Sequence, residues 1–293
     1  MSAAAEYETP SWWVDCLRNK GTVGEIDVEG VSIRYYVWES RESSGNPPLL
    51  MLHGTSANAH WWAHVASLLS DGRRVVAIDM SGHGESSHRD SYSLELWADE
   101  AMAVADVVDP SRRGVHVVGH SLGGDVAAVA AARFAQRVLG IAMCETIRDP
   151  RAPHHMVLKR MPRRYYPTFE AAVSRFQPLP SQPNNLPFIV DHLARSSIVA
   201  AGDGWTWRHD TGLAHELQHV VPRLDDLLQA VTCPMALIRS QRGEVSESDA
   251  DGLRRSTGGR LSVIELAGCG HHPMLDRPIA LTGALLRLIA TWS

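Results

Sequence analysis

Lysine is almost missing from this chain. Lys20 and Lys159 stand beside arginines that make up the rest of the 28 basic residues, so Schiff-base chemistry has few carriers. Cysteine is scarce too: Cys16, Cys144, Cys233 and Cys269 form no CxxC or Cys/His ladder, which argues against a zinc site or a disulfide frame and fits reduced cytosolic thiols. No apolar run approaches the roughly 18 residues of a spanning helix. The opening MSAAAEYETPSWW is acidic where a secretory leader is basic, so a cytoplasmic protein with no membrane partner is expected. An excess of positive charge is also lacking. With 28 Lys+Arg against 33 Asp+Glu the net charge is -5, which sets nucleic acid aside as a partner. What is present is 293 residues of which 44% are hydrophobic, enough for a substantial core.

The apolar residues come in short β-branched runs alternating with helical stretches, the pattern of a mainly parallel sheet covered on both faces. Strands are predicted at Gly24–Glu29 and Val31–Trp38, an antiparallel pair turning at Glu29-Gly30. Six more are predicted at Leu49–His53, Val75–Asp79, Val115–Gly119, Val138–Cys144, Met235–Arg239 and Leu261–Leu266. Helices are predicted near Trp61–Leu69, Leu94–Val108, Leu122–Phe134, Ser246–Arg255 and Pro278–Trp292. The rhythm breaks between residues 147 and 215, where no strand is evident and a proline-rich piece, PLPSQPNNLP, interrupts. A connection that long predicts an inserted helical cap. The expected organisation is therefore an N-terminal extension over 1–23, a core over 24–146 and 216–293, and the cap over 147–215. Within the cap, Arg148, Arg151, His154, His155, Lys159, Arg160, Arg163 and Arg164 form a basic cluster, which reads as a solvated helix face or as an attractor for an anionic substrate.

Gly119-His120-Ser121-Leu122-Gly123 lies between a predicted strand and an alanine-rich helix. A chain that turns at once from strand to helix forces its central residue into a cramped conformation, and glycines on either side leave room for it. Ser121 is thereby the candidate nucleophile, and the free N–H of Leu122 at the helix start is a candidate oxyanion donor. A serine hydroxyl needs a base. Among 15 histidines the candidate is His271 of Gly270-His271-His272-Pro273, on a loop after the last predicted strand, with His272 as competitor. The base needs a carboxylate, which either of two strand ends can supply. His215-Glu216-Leu217-Gln218-His219 also matches the zinc-protease HExxH, but Pro222 cuts the helix and no third ligand follows at a recognisable spacing, so no metal is expected.

Together with His53-Gly54-Thr55, Trp61-Trp62 and Asp79-Met80-Ser81-Gly82-His83-Gly84-Glu85-Ser86, these motifs resemble the α/β-hydrolase superfamily from about Gly24 onward. The resemblance implies an α/β fold with an eight-stranded, mostly parallel sheet, and a second oxyanion N–H at Thr55. Ser81 stands where arginine or proline is more usual. In many members the acid is an Asp in a turn after the strand Met235–Arg239; here that turn reads Ser240-Gln241-Arg242-Gly243, with glycine in the usual seat. Glu244 is one residue displaced. The stretch VLGIAMCETIRDP resembles haloalkane dehalogenases, which keep a catalytic Glu after the corresponding strand, as certain serine lactonases do. Glu145 is thus the expected acid, with Glu244 and then Asp249 as alternatives.

Dehalogenase chemistry does not follow, because a serine displacing at saturated carbon would leave a stable ether, whereas attack on a carbonyl gives a hydrolysable acyl-enzyme. The expected activity is that of a serine hydrolase on a carboxylic ester or lactone small-molecule substrate, with no cofactor. Carbon–carbon, amide or thioester hydrolysis and cofactor-free perhydrolysis are alternatives on the same fold, and a non-catalytic ligand receptor is the alternative of another class. Trp61, Trp205 and Trp207 are candidate substrate contacts; Trp12, Trp13, Tyr165 and Tyr166 are further aromatics that packing or a pocket would use.

Overall fold

Alternation gives way to continuous burial as the chain moves from the edge of its sheet to the centre. The computed structural model describes residues 9–40, 45–146, 162–212 and 223–292. β1 (Thr22–Val28) alternates along its length and pairs antiparallel with β2 (Val31–Trp38). Glu29 and Gly30 both take positive φ between them, as a tight hairpin of matching twist requires. β3 (Leu49–Leu52), β4 (Val75–Ile78) and β5 (Val115–His120) are buried at every residue, the signature of strands covered on both faces. β6 (Val138–Cys144), β9 (Met235–Ser240) and β10 (Leu261–Leu266) complete an eight-stranded sheet in the order β1-β2-β4-β3-β5-β6-β9-β10. The β1-β2 and β2-β4 pairings are antiparallel and the rest parallel. All eight predicted strands are present, within two residues of the expected bounds.

One face of the sheet is covered by α3 (Leu94–Val108), α4 (Leu122–Arg133), α7 (Leu224–Ala230) and α8 (Glu247–Ser256). The other carries α1 (Ser11–Arg18), α2 (His60–Leu69), α6 (Pro187–Ser196), α9 (Pro273–Asp276) and α10 (Pro278–Ala290). The sheet thus separates two apolar cores. No described helix is long and apolar enough to cross a membrane.

The segment predicted as a purely helical insertion holds α5 (Phe169–Val173), α6 and an antiparallel hairpin, β7 (Ile198–Ala201) with β8 (Gly204–Trp207). The hairpin corrects the expectation of no strand there. Its reason is local: Ile198 and Val199, then Trp205, Thr206 and Trp207, favour extended backbone, and Gly202 takes φ 58 at the turn. The described part of the insertion docks on loops that leave the sheet. The Asp210 N–H donates to the Gly82 carbonyl (2.7 Å), Leu186 N–H to Leu275 O (2.8 Å), and Asn58 Nδ2 to Ser197 Oγ (3.1 Å).

The Asp79–Ser86 motif serves as a brace at the same edge. Asp79, fully buried, accepts from Ala59 N (2.6 Å) and Glu85 N (2.8 Å), and burial raises its pKa to about 6. Glu100 accepts from Ser81 N (2.9 Å) and pairs with Arg89 (2.9 Å). Trp97 lies fully buried beneath this loop, stacked on Tyr92, its indole N–H donating to Ser81 O (3.1 Å). Trp97→Ala is expected to lower the unfolding free energy by about 3–5 kcal/mol in urea titrations followed by circular dichroism; a loss below about 1 kcal/mol would show that the loop does not rest on this ring.

Candidate active site

Register brings the candidate residues to one edge. Leu52 pairs with Gly119, His120 with Cys144, Cys144 with Ile238, and Ser240 with Leu266, so the residues following β3, β5, β6, β9 and β10 all leave the sheet at the same end. Ser121 sits between β5 and α4 at φ 51, ψ -120, a conformation that costs a non-glycine residue energy and is held by its surroundings. Its N–H donates to Cys144 O (2.9 Å) and its carbonyl accepts from Gly124 N (2.9 Å). A methyl group at Gly119 would stand 2.0 Å from the Gly123 carbonyl oxygen, and one at Gly123 would stand 2.4 Å from Leu52 O. The two glycines of the motif are therefore steric requirements.

Leu122 opens α4, and the first N–H groups of a helix have no acceptor within it. On the other side, a methyl group at Gly54 would lie 3.4 Å from Ser121 Cβ, which brings the His53-Gly54-Thr55 turn against the serine. His53 is fully buried, and burial lowers its pKa to about 4. A neutral ring fits its bonds: Nδ1 meets Gly54 O at 2.8 Å and Nε2 accepts Met80 N–H at 3.2 Å.

Glu145 follows β6, also at positive φ (51), and is buried. Its Oε1 accepts from Ser240 N at 2.5 Å and its Oε2 from Glu244 N at 2.8 Å, and Oε2 lies 3.3 Å from His271 Nδ1. Gly243 explains how a carboxylate from β6 reaches this position: a methyl group there would stand 2.1 Å from Glu145 Oε2. The glycine in the usual acid seat is the space that Glu145 fills. The Glu244 side chain is exposed, and that residue supports the pair through its backbone N–H instead. Asp249 is occupied in the capping box of α8 with Ser246.

His271 lies on the loop after β10, where Gly268 takes φ 65. Three groups hold the loop. His120 Nε2 meets the His271 carbonyl at 2.8 Å, Asp276 accepts from Gly270 N (2.8 Å) and Cys269 Sγ (3.0 Å), and Gln182 grips His272. That last contact is a double one: Gln182 Oε1 accepts His272 N–H (2.8 Å) and Nε2 donates to His272 O (3.3 Å). Gln182 comes from the proline-rich piece of the insertion and went unnoticed in the sequence, where only the disruption of helix and strand patterning marked its neighbourhood. His272 itself is buried against Trp61 (ring centroids 5.3 Å apart), and burial, then His271, lowers its pKa to about 3. Ser121 and His271 are linked through His120; among the described residues no hydrogen bond joins the Ser121 hydroxyl to the imidazole.

Of the candidate substrate contacts, Trp61 is buried beside His272 and Phe176, its indole N–H without a hydrogen-bond partner. Trp207 reaches the same group through Phe176 (5.9 Å). Trp205 packs on Phe169 (5.0 Å) and pairs its backbone with Tyr166, so it holds the insertion together. Trp12 and Trp13 pack on Phe188, and Tyr165 is exposed. The HExxH string and the basic cluster up to Arg160 lie outside the described residues; Arg163 is half-buried and Arg164 exposed.

Gly243→Ala forces the Glu145 carboxylate off its two backbone donors. The expected cost is about 1–3 kcal/mol of unfolding free energy, checked by urea titration, and an unchanged midpoint would mean that Glu145 has another place to go.

Residues 47–181 match the sequence profile of a family described as alpha/beta hydrolase fold. Over 144 residues the chain is 37% identical to the dihydrolipoyllysine-residue acetyltransferase component of an acetoin cleaving system from Cupriavidus necator, covering 49% of this chain and 37% of that protein. The chain thus spans little more than a third of that relative. It is 26% identical over 248 residues, 80% of each chain, to an esterase of Mycobacterium tuberculosis. The crystal structure of that esterase superposes with a TM-score of 0.73 at 22% identity, covering 97% of this chain and 100% of the other. E-2-(acetamidomethylene)succinate hydrolase superposes at 0.77 with 20% identity, covering 92% and 99%. With this sheet order, a strand–Ser121–helix turn at its centre and solved structures that superpose over nearly the whole chain, the chain has the α/β-hydrolase fold.

Proposed function

We propose that the chain is a serine hydrolase of a carboxylic ester or lactone, with Ser121 as nucleophile, His271 as base and Glu145 as the acid that orients it. The observation that carries this reading is the Glu145 carboxylate, buried, fixed by two backbone N–H groups and 3.3 Å from His271 Nδ1. A carboxylate on Nδ1 selects the tautomer whose Nε2 is free to take a proton. Likeness to an esterase over four fifths of the chain supports the same class.

In this mechanism His271 Nε2 takes the proton of the Ser121 hydroxyl as Oγ attacks the substrate carbonyl. The imidazolium is stabilised by Glu145, and the negative charge on the carbonyl oxygen is met by the N–H groups of Leu122 and Thr55. Collapse breaks the bond to the leaving alkoxide, which takes the proton back from His271. Water, deprotonated by the same histidine, then attacks the Ser121 ester; the bond to Ser121 Oγ breaks, Oγ takes the proton back from His271, and the acid is released. The serine–imidazole hydrogen bond belongs to the substrate complex, since such contacts are often long without a ligand.

Trp61 of the core and Trp207 of the insertion, joined through Phe176, are read as the surface that receives the acyl or alcohol group.

Two measurements test the reading. A fluorophosphonate probe is expected to label the protein at Ser121, and Ser121→Ala to remove both labelling and p-nitrophenyl ester turnover; undiminished turnover in that variant would end the mechanism. Glu145→Gln is expected to lower kcat by about 10²- to 10⁴-fold, whereas Glu244→Gln, which keeps its backbone N–H, stays within a few-fold of wild type. The opposite ranking would assign the acid to Glu244.

A further inference from the structure

The peptide group that joins His271 to His272 is held on both edges by side chains from distant parts of the chain. Its carbonyl meets His120 Nε2 at 2.8 Å, and its N–H donates to Gln182 Oε1 at 2.8 Å. Burial keeps the His120 ring neutral, and a neutral ring facing a carbonyl carries its proton on that nitrogen. A peptide is planar, so bonds on both edges fix its plane, and with it the direction in which the His271 backbone sends out the imidazole. The peptide one step earlier is held separately: Cys269 O accepts from Arg242 N–H (2.8 Å), and Gly270 N–H donates to Asp276 (2.8 Å).

The Gln182 contact meets a need of the backbone. His272 stands in front of α9 with no side-chain cap bond, and an N–H at that place has no acceptor within the helix. Gln182 supplies one. The His272 carbonyl, by contrast, accepts from Leu275 N–H (2.9 Å) as well as from Gln182 Nε2 (3.3 Å), so the bond to Oε1 is the one without a substitute. A methyl group at Gly270 would stand 2.6 Å from Gln182 Oε1, and the glycine before the imidazole therefore admits the amide. The segment is moored on either side of Gln182: Leu186 N–H donates to Leu275 O (2.8 Å), and the carbonyls of Leu179 and Pro180 face the His272 ring.

We propose that Gln182 is a positioning residue for the base, acting through the His271–His272 peptide, so that the insertion takes part in the chemical step as well as in receiving substrate. The proposal rests on the reading of His271 as base. One imidazole must face Glu145 Oε2, at 3.3 Å, and the Ser121 hydroxyl in the substrate complex; a misplacement of about 1 Å costs such a group about a hundredfold in rate.

The experiment compares wild type with Gln182→Met, which keeps the length of the side chain but neither hydrogen bond, and with Asn184→Ala, at an exposed position on the same segment. Turnover of p-nitrophenyl acetate, too small to make much use of the Trp61 and Trp207 surface, is measured beside hydrogen exchange of the His272 amide. Titration with the fluorophosphonate probe counts competent molecules, so a lowered kcat is not a lowered folded fraction. In Gln182→Met the His272 amide is expected to exchange about tenfold faster or more, and kcat to fall about 10- to 100-fold with KM within about threefold of wild type. Asn184→Ala is expected to match wild type throughout. If Gln182→Met fails to fold, Gln182→Asn replaces it, its amide one methylene short of the loop, with the same pattern expected. A KM that rises while kcat holds would assign Gln182 to substrate binding and overturn the proposal. An unchanged kcat beside a faster-exchanging His272 amide, an amide whose exchange does not change, or an equal loss in Asn184→Ala would overturn it too. A wild type that neither labels at Ser121 nor turns over the ester refutes the hydrolase reading instead. The hold on the imidazole is then read from the His271 ring resonances, which broaden in Gln182→Met if the proposal stands and stay as in wild type if it fails.

Discussion

The candidate site depends on a carboxylate that leaves one strand and is held by the backbone after another. Glu145 projects from the end of β6 into a space beside β9 that exists because residue 243 has no side chain, and there it meets His271. Everything around it serves that displacement. The backbone at Glu145 is bent to positive φ, Ser240 and Glu244 turn their N–H groups toward its two oxygens, and Glu145 N–H is itself tied to Ile238 O at 2.9 Å. A buried carboxylate without such donors would be costly; with them its orientation is fixed, and the imidazole takes its orientation from it.

The same economy of contact joins the insertion to the core. Gln182 clamps both backbone groups of His272, and Asp210 closes on the Asp79–Ser86 loop while accepting from Tyr92 OH (2.8 Å). The loop that carries His271 is thus held from three directions: by His120 beneath, by Asp276 on its own descent into α10, and by Gln182 from above. Gln182 thereby fixes, by two hydrogen bonds, the backbone of the residue that follows the imidazole.

How much of this the sequence announced depended on whether the controlling interaction was local. The central strands were legible because burial on both faces leaves unbroken apolar runs such as Leu49–Leu52 and Val75–Ile78, and the turn at Ser121 because its glycines are required within four residues. The β7–β8 hairpin was missed where a Pro- and Arg-rich setting masked two four-residue strands. Between Glu145 and Glu244 the resemblance favoured Glu145, and the close approach of its carboxylate to residue 243, about a hundred positions away, was not legible along the chain. Gln182 was invisible for the same reason: nothing in PLPSQPNNLP indicates that one amide reaches a histidine loop 90 residues on.

The most direct test of the central claim is the proton between Glu145 and His271. In NMR spectra of the phosphonylated protein, where the imidazole is charged, a low-field Nδ1–H resonance is predicted for the wild type and for Glu244→Gln, and its loss for Glu145→Gln. The same resonance surviving in Glu145→Gln, or vanishing in Glu244→Gln while the fold is intact, would contradict the account.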